Sequence, residues 1–226
     1  MNLGMEQIMS QEEQIVAVKQ YTIDKLGADK TGHGMGHINR VVRMARRLAV
    51  GEGVDPFLPV VAAYLHDTID EKLVDSIPAA KQELQGYLAD HDFTAEEIQT
   101  IMDVISNISF AHTLDGEEIQ LSPIGKIVRD ADWLDAIGAL GITRAIYYGG
   151  AHHEKIYDPA VKPRQNMSRE EYRNLADETI INHFCEKILK LKDMLQTATA
   201  RQIAEHRQQV MLDFLAEFKA EWKAER

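Results

Sequence analysis

Disulfides, membrane spans and a surplus of positive charge are all missing from this sequence. A single cysteine, Cys185, in 226 residues excludes an intrachain disulfide, and its setting, INHFCEKIL, reads as a small apolar side chain on a helix face. No run approaches the roughly 20 apolar residues that a bilayer span needs, so no membrane partner is expected. The opening MNLGMEQIMSQEEQ lacks the charged-then-apolar pattern of a signal peptide, which makes the cytoplasm the expected compartment. With 25 Lys+Arg against 36 Asp+Glu, the net charge of −11 argues against a long nucleic acid as partner, because such binding neutralises phosphates with basic side chains. The same charge repels a small phosphorylated ligand at long range, so any phosphate site must be made locally positive by a metal or a few basic residues.

Convincing alternating strand pairs, internal repeats and low-complexity tracts are absent too, and what remains is helical periodicity almost throughout. The expected fold class is all-α. The 45% hydrophobic content is enough for one core, and a single domain over 1–226 is expected, with helices at about 168–222 packing on a core at about 30–150. The first helix is predicted from about Ser10 to Leu26, ended by Gly32, Gly34 and Gly36, and a second begins near His37. Asp55–Pro56 is a cap-and-first-turn signature for FLPVVAAYLHD, Thr94 with Glu97 forms a capping box for a helix through Asn107, and Ser122–Pro123 opens the next. That one is read as a single central helix, IGKIVRDADWLDAIGALGITRAI, with Ile124, Val128, Ala131, Leu134 and Gly138 on its inward stripe. A loop is predicted from about Gly149 to Met167. Ser168 with Glu171 opens a helix to about Leu195, and Thr199 with Gln202 the last one, to about Trp222.

Four polar residues sit where these helices have no need of them. His37 shares its helix face with Val41, Met44 and Leu48, and so points inward. His66 and Asp67 follow directly on VVAAYL, and Asp132 lies on the central helix. Buried imidazoles and carboxylates are costly unless paired, hydrogen-bonded or bound to a cation, and one divalent metal meets that need for all four. His152, His153, His183 and His206 lack matching partners, although an adjacent pair such as His152–His153 can bind a stray ion.

In order and local context these residues are similar to a known signature. HINRVV at 37–42, AAYLHDTID at 62–70 and VRDADWLDAIGA at 128–139 resemble the first-His, His-Asp and last-Asp segments of the HD-domain phosphohydrolases, and the C-terminal helices resemble the small single-domain bacterial branch of that family. The resemblance implies an HD-type helical bundle with the metal site between central helices, and it assigns His37, His66, Asp67 and Asp132 as ligands, with Asp130 and Asp135 nearby. Asp135, three residues on, could touch substrate or support a ligand. One departure is visible: Trp133 stands where this branch carries Arg, so another residue must take over any phosphate or structural duty of that Arg.

A two-His, two-Asp set suits one divalent transition metal ion, with Mn²⁺ placed first, Fe²⁺, Co²⁺, Ni²⁺ or Zn²⁺ compatible, and Mg²⁺ last because it prefers oxygen ligands. The implied activity is a phosphohydrolase acting on a small nucleotide, at a phosphomonoester or pyrophosphate bond and with nucleoside triphosphates preferred, by attack of metal-activated water. Asp70 and Glu71 fall where alarmone hydrolases of the superfamily carry a Glu-Asp pair, and they are the candidates for acid/base work. Cations for phosphate are available in Arg40, Lys126, Arg129, Arg144, Lys155 and Arg164, with Arg40, Arg144 and Lys155 put forward. His112 could border the pocket or cap a helix. The alternatives are a phosphodiesterase or alarmone hydrolase, and a non-catalytic sensor that holds nucleotide and metal. A homodimer is compatible with the sequence, which does not specify the oligomeric state.

Overall fold

The helices begin where their caps say they should. In the computed structural model, which describes residues 8–226 except 30–31, 71–73, 114–118, 166–167, 169–170, 172–177 and the side chains of 111 and 112, α1 spans Gln11–Leu26 behind a complete Ser10–Glu13 capping box. α2 spans Met35–Gly51 and α3 spans Phe57–Leu65. Asp55 caps α3 from outside: its Oδ1 accepts the Phe57 N–H at 2.8 Å. α4, Ile77–Ala89, opens on Ser76, and α5, Ala95–Asn107, on the Thr94–Glu97 box. α6, Pro123–Asp135, opens on Ser122 with proline in its first turn.

α2, α3 and α6 pack against one another at the centre, flanked by α1 and α5. Their positions follow from which residues are apolar. α3 is apolar all round, with Val60, Val61, Ala62, Ala63 and Leu65 buried on every side, and so takes the middle of the molecule. α2 turns Ile38, Val41, Ala45 and Leu48 to this centre and its arginines outward. Each fully buried Ile or Leu contributes about 1.5–3 kcal/mol, which fixes the rotation of the helices that carry the polar residues.

Three sequence expectations require correction. The single central helix is two, α6 and α7 (Gly138–Ala151), because Gly138 takes φ +77° and a Cβ there would lie 2.9 Å from the Arg207 side chain. Arg207 also donates to the Leu134 carbonyl at the end of α6, satisfying a group that a continuous helix would have used internally. The helix expected from Ser168 to Leu195 does not run continuously. Thr179 pairs with Lys155 in an isolated bridge and caps a short α8, Ile180–Glu186, after which a 3₁₀ turn, Ile188–Lys190, leads into α9, Leu191–Met194. The last helix, α10 (Ala198–Trp222), is capped by Thr197, whose oxygen accepts the Ala200 N–H, and not by Thr199.

Two carboxylates, one buried on α6 and one just past α2, meet the start of α10. Asp130 on α6 accepts from the N–H groups of Gln196 (2.9 Å) and Thr197 (2.7 Å) and from the Thr197 hydroxyl (2.8 Å). Glu52, just past α2, accepts from the Thr199 N–H at 2.8 Å. Negative charge at a helix N-terminus is favoured by the unpaired N–H groups there. α6 and the end of α2 are thereby pinned to the same four-residue stretch, 196–199.

Candidate metal centre

α2, α3 and α6 each deliver polar side chains to one point. His37 stands in the first turn of α2, His66 and Asp67 continue from the end of α3, and Asp132 projects from α6. The Nε2 atoms of His37 and His66 are 3.3 Å apart. Asp132 Oδ1 lies 3.4 Å from His37 Nε2 and 3.8 Å from His66 Nε2, while the two Asp67 oxygens lie 3.6 and 3.4 Å from the same nitrogens. One donor atom from each of His37, His66 and Asp132 falls within 4.8 Å of the others.

Proton bookkeeping shows what this cluster wants. His66 Nδ1 is 2.8 Å from the Ala63 carbonyl and His37 Nδ1 is 2.7 Å from Asp135 Oδ2, and both acceptors require a proton on Nδ1. Neutral rings then carry lone pairs on both Nε2 atoms, which face each other and two carboxylates. A divalent cation is the species that such a set of converging lone pairs fits, and the mixed nitrogen and oxygen donors suit a transition metal. Without one, a proton must serve instead. Burial opposes charge on His37, but Asp132 and Asp135 outweigh it and push the imidazole up to about 9.

The carboxylates respond in the opposite direction. Burial acts to raise Asp67, yet His66, His33 and His37 hold it well below the usual carboxylate range, and Asp132 is likewise lowered against burial by His37 and His66. Asp135, with its buried carboxylate, is also held well below that range by His37 and Arg40. Both of its oxygens are occupied: Arg40 donates from Nε to Oδ1 at 2.7 Å and from Nη2 to Oδ2 at 2.9 Å, and Arg144 Nη1 lies 3.2 Å from Oδ2. This carboxylate orients the His37 imidazole, a candidate ligand, from behind.

His33 went unremarked in the sequence. Its Nδ1 lies 2.8 Å from Asp67 Oδ2, and that hydrogen bond, against burial, raises its pKa. The signal was present, since His33 precedes His37 by one helical turn, but the intervening Gly34 and Gly36 masked it.

A cavity of about 650 Å³ opens from the cluster. His33, Asp70, Lys81 and Arg144 line it near the polar residues' elements, and Phe110, Trp133, Tyr148, Ile180 and Leu191 line it elsewhere. Trp133 is buried, in an edge-type contact with the Phe110 ring at 6.0 Å between centroids, and the Arg129 guanidinium sits 4.7 Å over its face. Arg40 faces away from this cavity, toward a second and smaller one. Lys155 is exposed and paired with Asp158 at 3.1 Å, and Arg164 is engaged by Glu186 at 2.6 Å. Lys126 is half-buried on α6 and does not line the cavity. His183 pairs with Glu178 at 2.5 Å inside the cavity, whereas His152, His153 and His206 are exposed. Glu71 and the side chain of His112 lie outside the described residues.

Comparison with known proteins now bears on this geometry. A family model described as HD domain matches residues 34–137, which contain all four expected ligands. YpgQ of Bacillus subtilis (strain 168), described as an uncharacterized protein, is 31% identical over 211 residues, covering 93% of this chain and 95% of its own. Its crystal structure in complex with ADP superposes with a TM-score of 0.75 at 31% identity, covering 94% of this chain and 97% of that one. A Lactobacillus plantarum protein of known structure is 46% identical with a TM-score of 0.84, covering 96% of this chain and all of that one. A structure described as an HD-superfamily hydrolase from Bacillus thuringiensis is 35% identical with a TM-score of 0.76, covering 95% and 100%.

Proposed function

Because the chain belongs to the HD-domain family, we propose that it is a metal-dependent phosphohydrolase that cleaves a phosphate or pyrophosphate group from a small nucleotide, with nucleoside triphosphates as the preferred class. The observation that carries the reading is the convergence of His37, His66, Asp67 and Asp132 on the wall of a cavity whose volume, about 650 Å³, lies in the range of small-molecule sites. A relative 31% identical, YpgQ, has been crystallised with ADP, which supports a nucleotide as ligand.

His37, His66, Asp67 and Asp132 would hold a divalent ion, Mn²⁺ first among the candidates, which when bound would supply Lewis acidity to a water and to the phosphoryl oxygens. The remaining work belongs to the protein. His33, whose pKa is raised by its hydrogen bond to Asp67, lines the cavity with Arg144 and Lys81, which present positive charge to the phosphates in an otherwise acidic molecule. Asp70 lies three residues beyond Asp67, joined to it by an Asp70 N–H to Asp67 carbonyl bond of 3.2 Å, and accepts the proton of the attacking water. Glu71 is a second candidate for that role. Asp135 keeps His37 in the tautomer that leaves Nε2 free. Trp133, Phe110 and Tyr148 offer flat apolar surface for the nucleobase.

The test is a panel of nucleoside mono-, di- and triphosphates assayed with Mn²⁺, Co²⁺, Ni²⁺, Zn²⁺ and Mg²⁺, with phosphate and pyrophosphate measured separately. Turnover with a triphosphate, abolished by chelation and by Asp67→Ala, is the expected result. No turnover with any metal, together with retained nucleotide binding, replaces this reading with that of a sensor.

A further inference from the structure

On the far side of Asp135 from the metal ligands, four arginines gather around a second cavity. Arg40, Arg43 and Arg47 recur at three- and four-residue spacing along one face of α2, and Arg207 reaches the same space from α10. Like charges at such spacing disfavour a helix, and this row lies in a chain of net charge −11. The carboxylate in the cavity wall does not balance them. Asp135 has both oxygens taken by Arg40, His37 and Arg144, and among the described residues no carboxylate lies within ion-pair distance of Arg43, Arg47 or Arg207. Arg43 and Arg47 are exposed and free to move toward a ligand, whereas Arg40 and Arg207 are half-buried and held.

Burial lowers the pKa of Arg207, Asp135 opposes that shift, and Arg47 beside it adds to the lowering. Met44, Ala131 and Leu140 line the cavity between the charged groups. At about 260 Å³ the cavity is smaller than the sites that enclose whole organic ligands.

We propose that this cavity is an anion site for a small oligophosphate, clasped by Arg43 and Arg47 over Arg40 and Arg207, separate from the hydrolytic centre and reading phosphate groups alone. Planar guanidinium forks match phosphate oxygens two at a time, which the uncommitted forks of Arg43 and Arg47 offer and lysines would not, while Arg40 and Arg207 add fixed positive charge beneath them.

The experiment uses the full chain freed of metal, so that its outcome stands apart from whether the protein hydrolyses nucleotides. Calorimetric titration with tripolyphosphate should show one site per chain, weakening as salt is raised. Affinity should fall at least about tenfold in the double variant Arg43→Glu/Arg47→Glu and stay unchanged in Lys81→Ala, which alters the larger cavity. The double variant should keep the parent's melting temperature and Mn²⁺ affinity, because both side chains are exposed. No binding up to about 10 mM overturns the proposal, as does loss in Lys81→Ala with retention in the double variant. A non-hydrolysable nucleoside triphosphate that binds here at least about tenfold more tightly than tripolyphosphate overturns the assignment to phosphate alone.

Discussion

Two aspartates on α6, one and a half turns apart, are both buried and both fully hydrogen-bonded, yet their surroundings differ in kind. Asp130 meets neutral donors, the N–H groups of Gln196 and Thr197 and a hydroxyl, and burial lifts its pKa above the usual carboxylate range in spite of them. Asp135 meets Arg40, Arg144 and His37, and is held well below that range although burial opposes it. A buried carboxylate is therefore no sign of chemistry by itself. What its donors are, and where they lead, separates a fastening from a part of the site: Asp130 leads to the start of α10, Asp135 to the back of a ligand histidine. Asp132, between them, is half-buried and turns toward the cavity.

The contrast can be broken at each aspartate. Asp132→Ala should have the largest effect on activity, lowering kcat/KM about a thousandfold or more while leaving the melting temperature of the metal-free protein close to the parent's, as kinetics and calorimetry would show. Equal loss of fold and activity would mean that Asp132 is structural. Asp130→Ala should do the reverse. It leaves three donors without an acceptor and should reduce unfolding free energy by about 3 kcal/mol in urea titrations, while the folded fraction keeps its metal. Asp135→Asn keeps the shape but removes the charge behind His37, and metal affinity should fall about 10–100-fold by competition with a chelating dye.

The smallest effect is one of pH. His37 is raised to about 9 in the metal-free protein, so between the ordinary histidine value of 6.5 and about 9 the folded state holds a proton that the unfolded chain has released. The stability due to that proton is complete below 6.5 and is lost as pH rises through 9. Melting temperature should accordingly decline over this window in chelator and hold steady in saturating metal, where the ion takes the place of the proton. A flat profile without metal would remove the charge coupling between His37 and the two aspartates.

The candidate ligands could be singled out because His66 and Asp67 directly follow VVAAYL, and His37 falls on the same face of α2 as the apolar residues after it. The capping box at Thr94 placed the start of α5 to the residue. What could not be read depends on partners distant in sequence. Helical periodicity runs unbroken through Ala136–Ile137–Gly138, and the break there comes from Arg207, some 70 residues away. Thr197 and Thr199 are both plausible caps, and only Glu52, which takes the Thr199 N–H, and Asp130, which takes that of Thr197, select between them. α4 had a usable signal in Ser76 followed by a proline, but Leu84 and Leu88 are its only buried residues and make a faint stripe. Arg40 looked like a phosphate ligand because it lies one turn from His37, and its actual direction was set by Asp135.

The pinning of α6 and the end of α2 to residues 196–199 also has a meaning in time. His37, His66, Asp67 and Asp132 are all synthesised well before the residues that hold their helices, because Asp130 finds its donors only at Gln196 and Thr197 and Glu52 only at Thr199. A nascent chain that has reached Asp132 owns every candidate ligand and not yet the frame. If these residues hold an ion, its capture waits until synthesis nears its end, and a product truncated before α10 is expected to retain none.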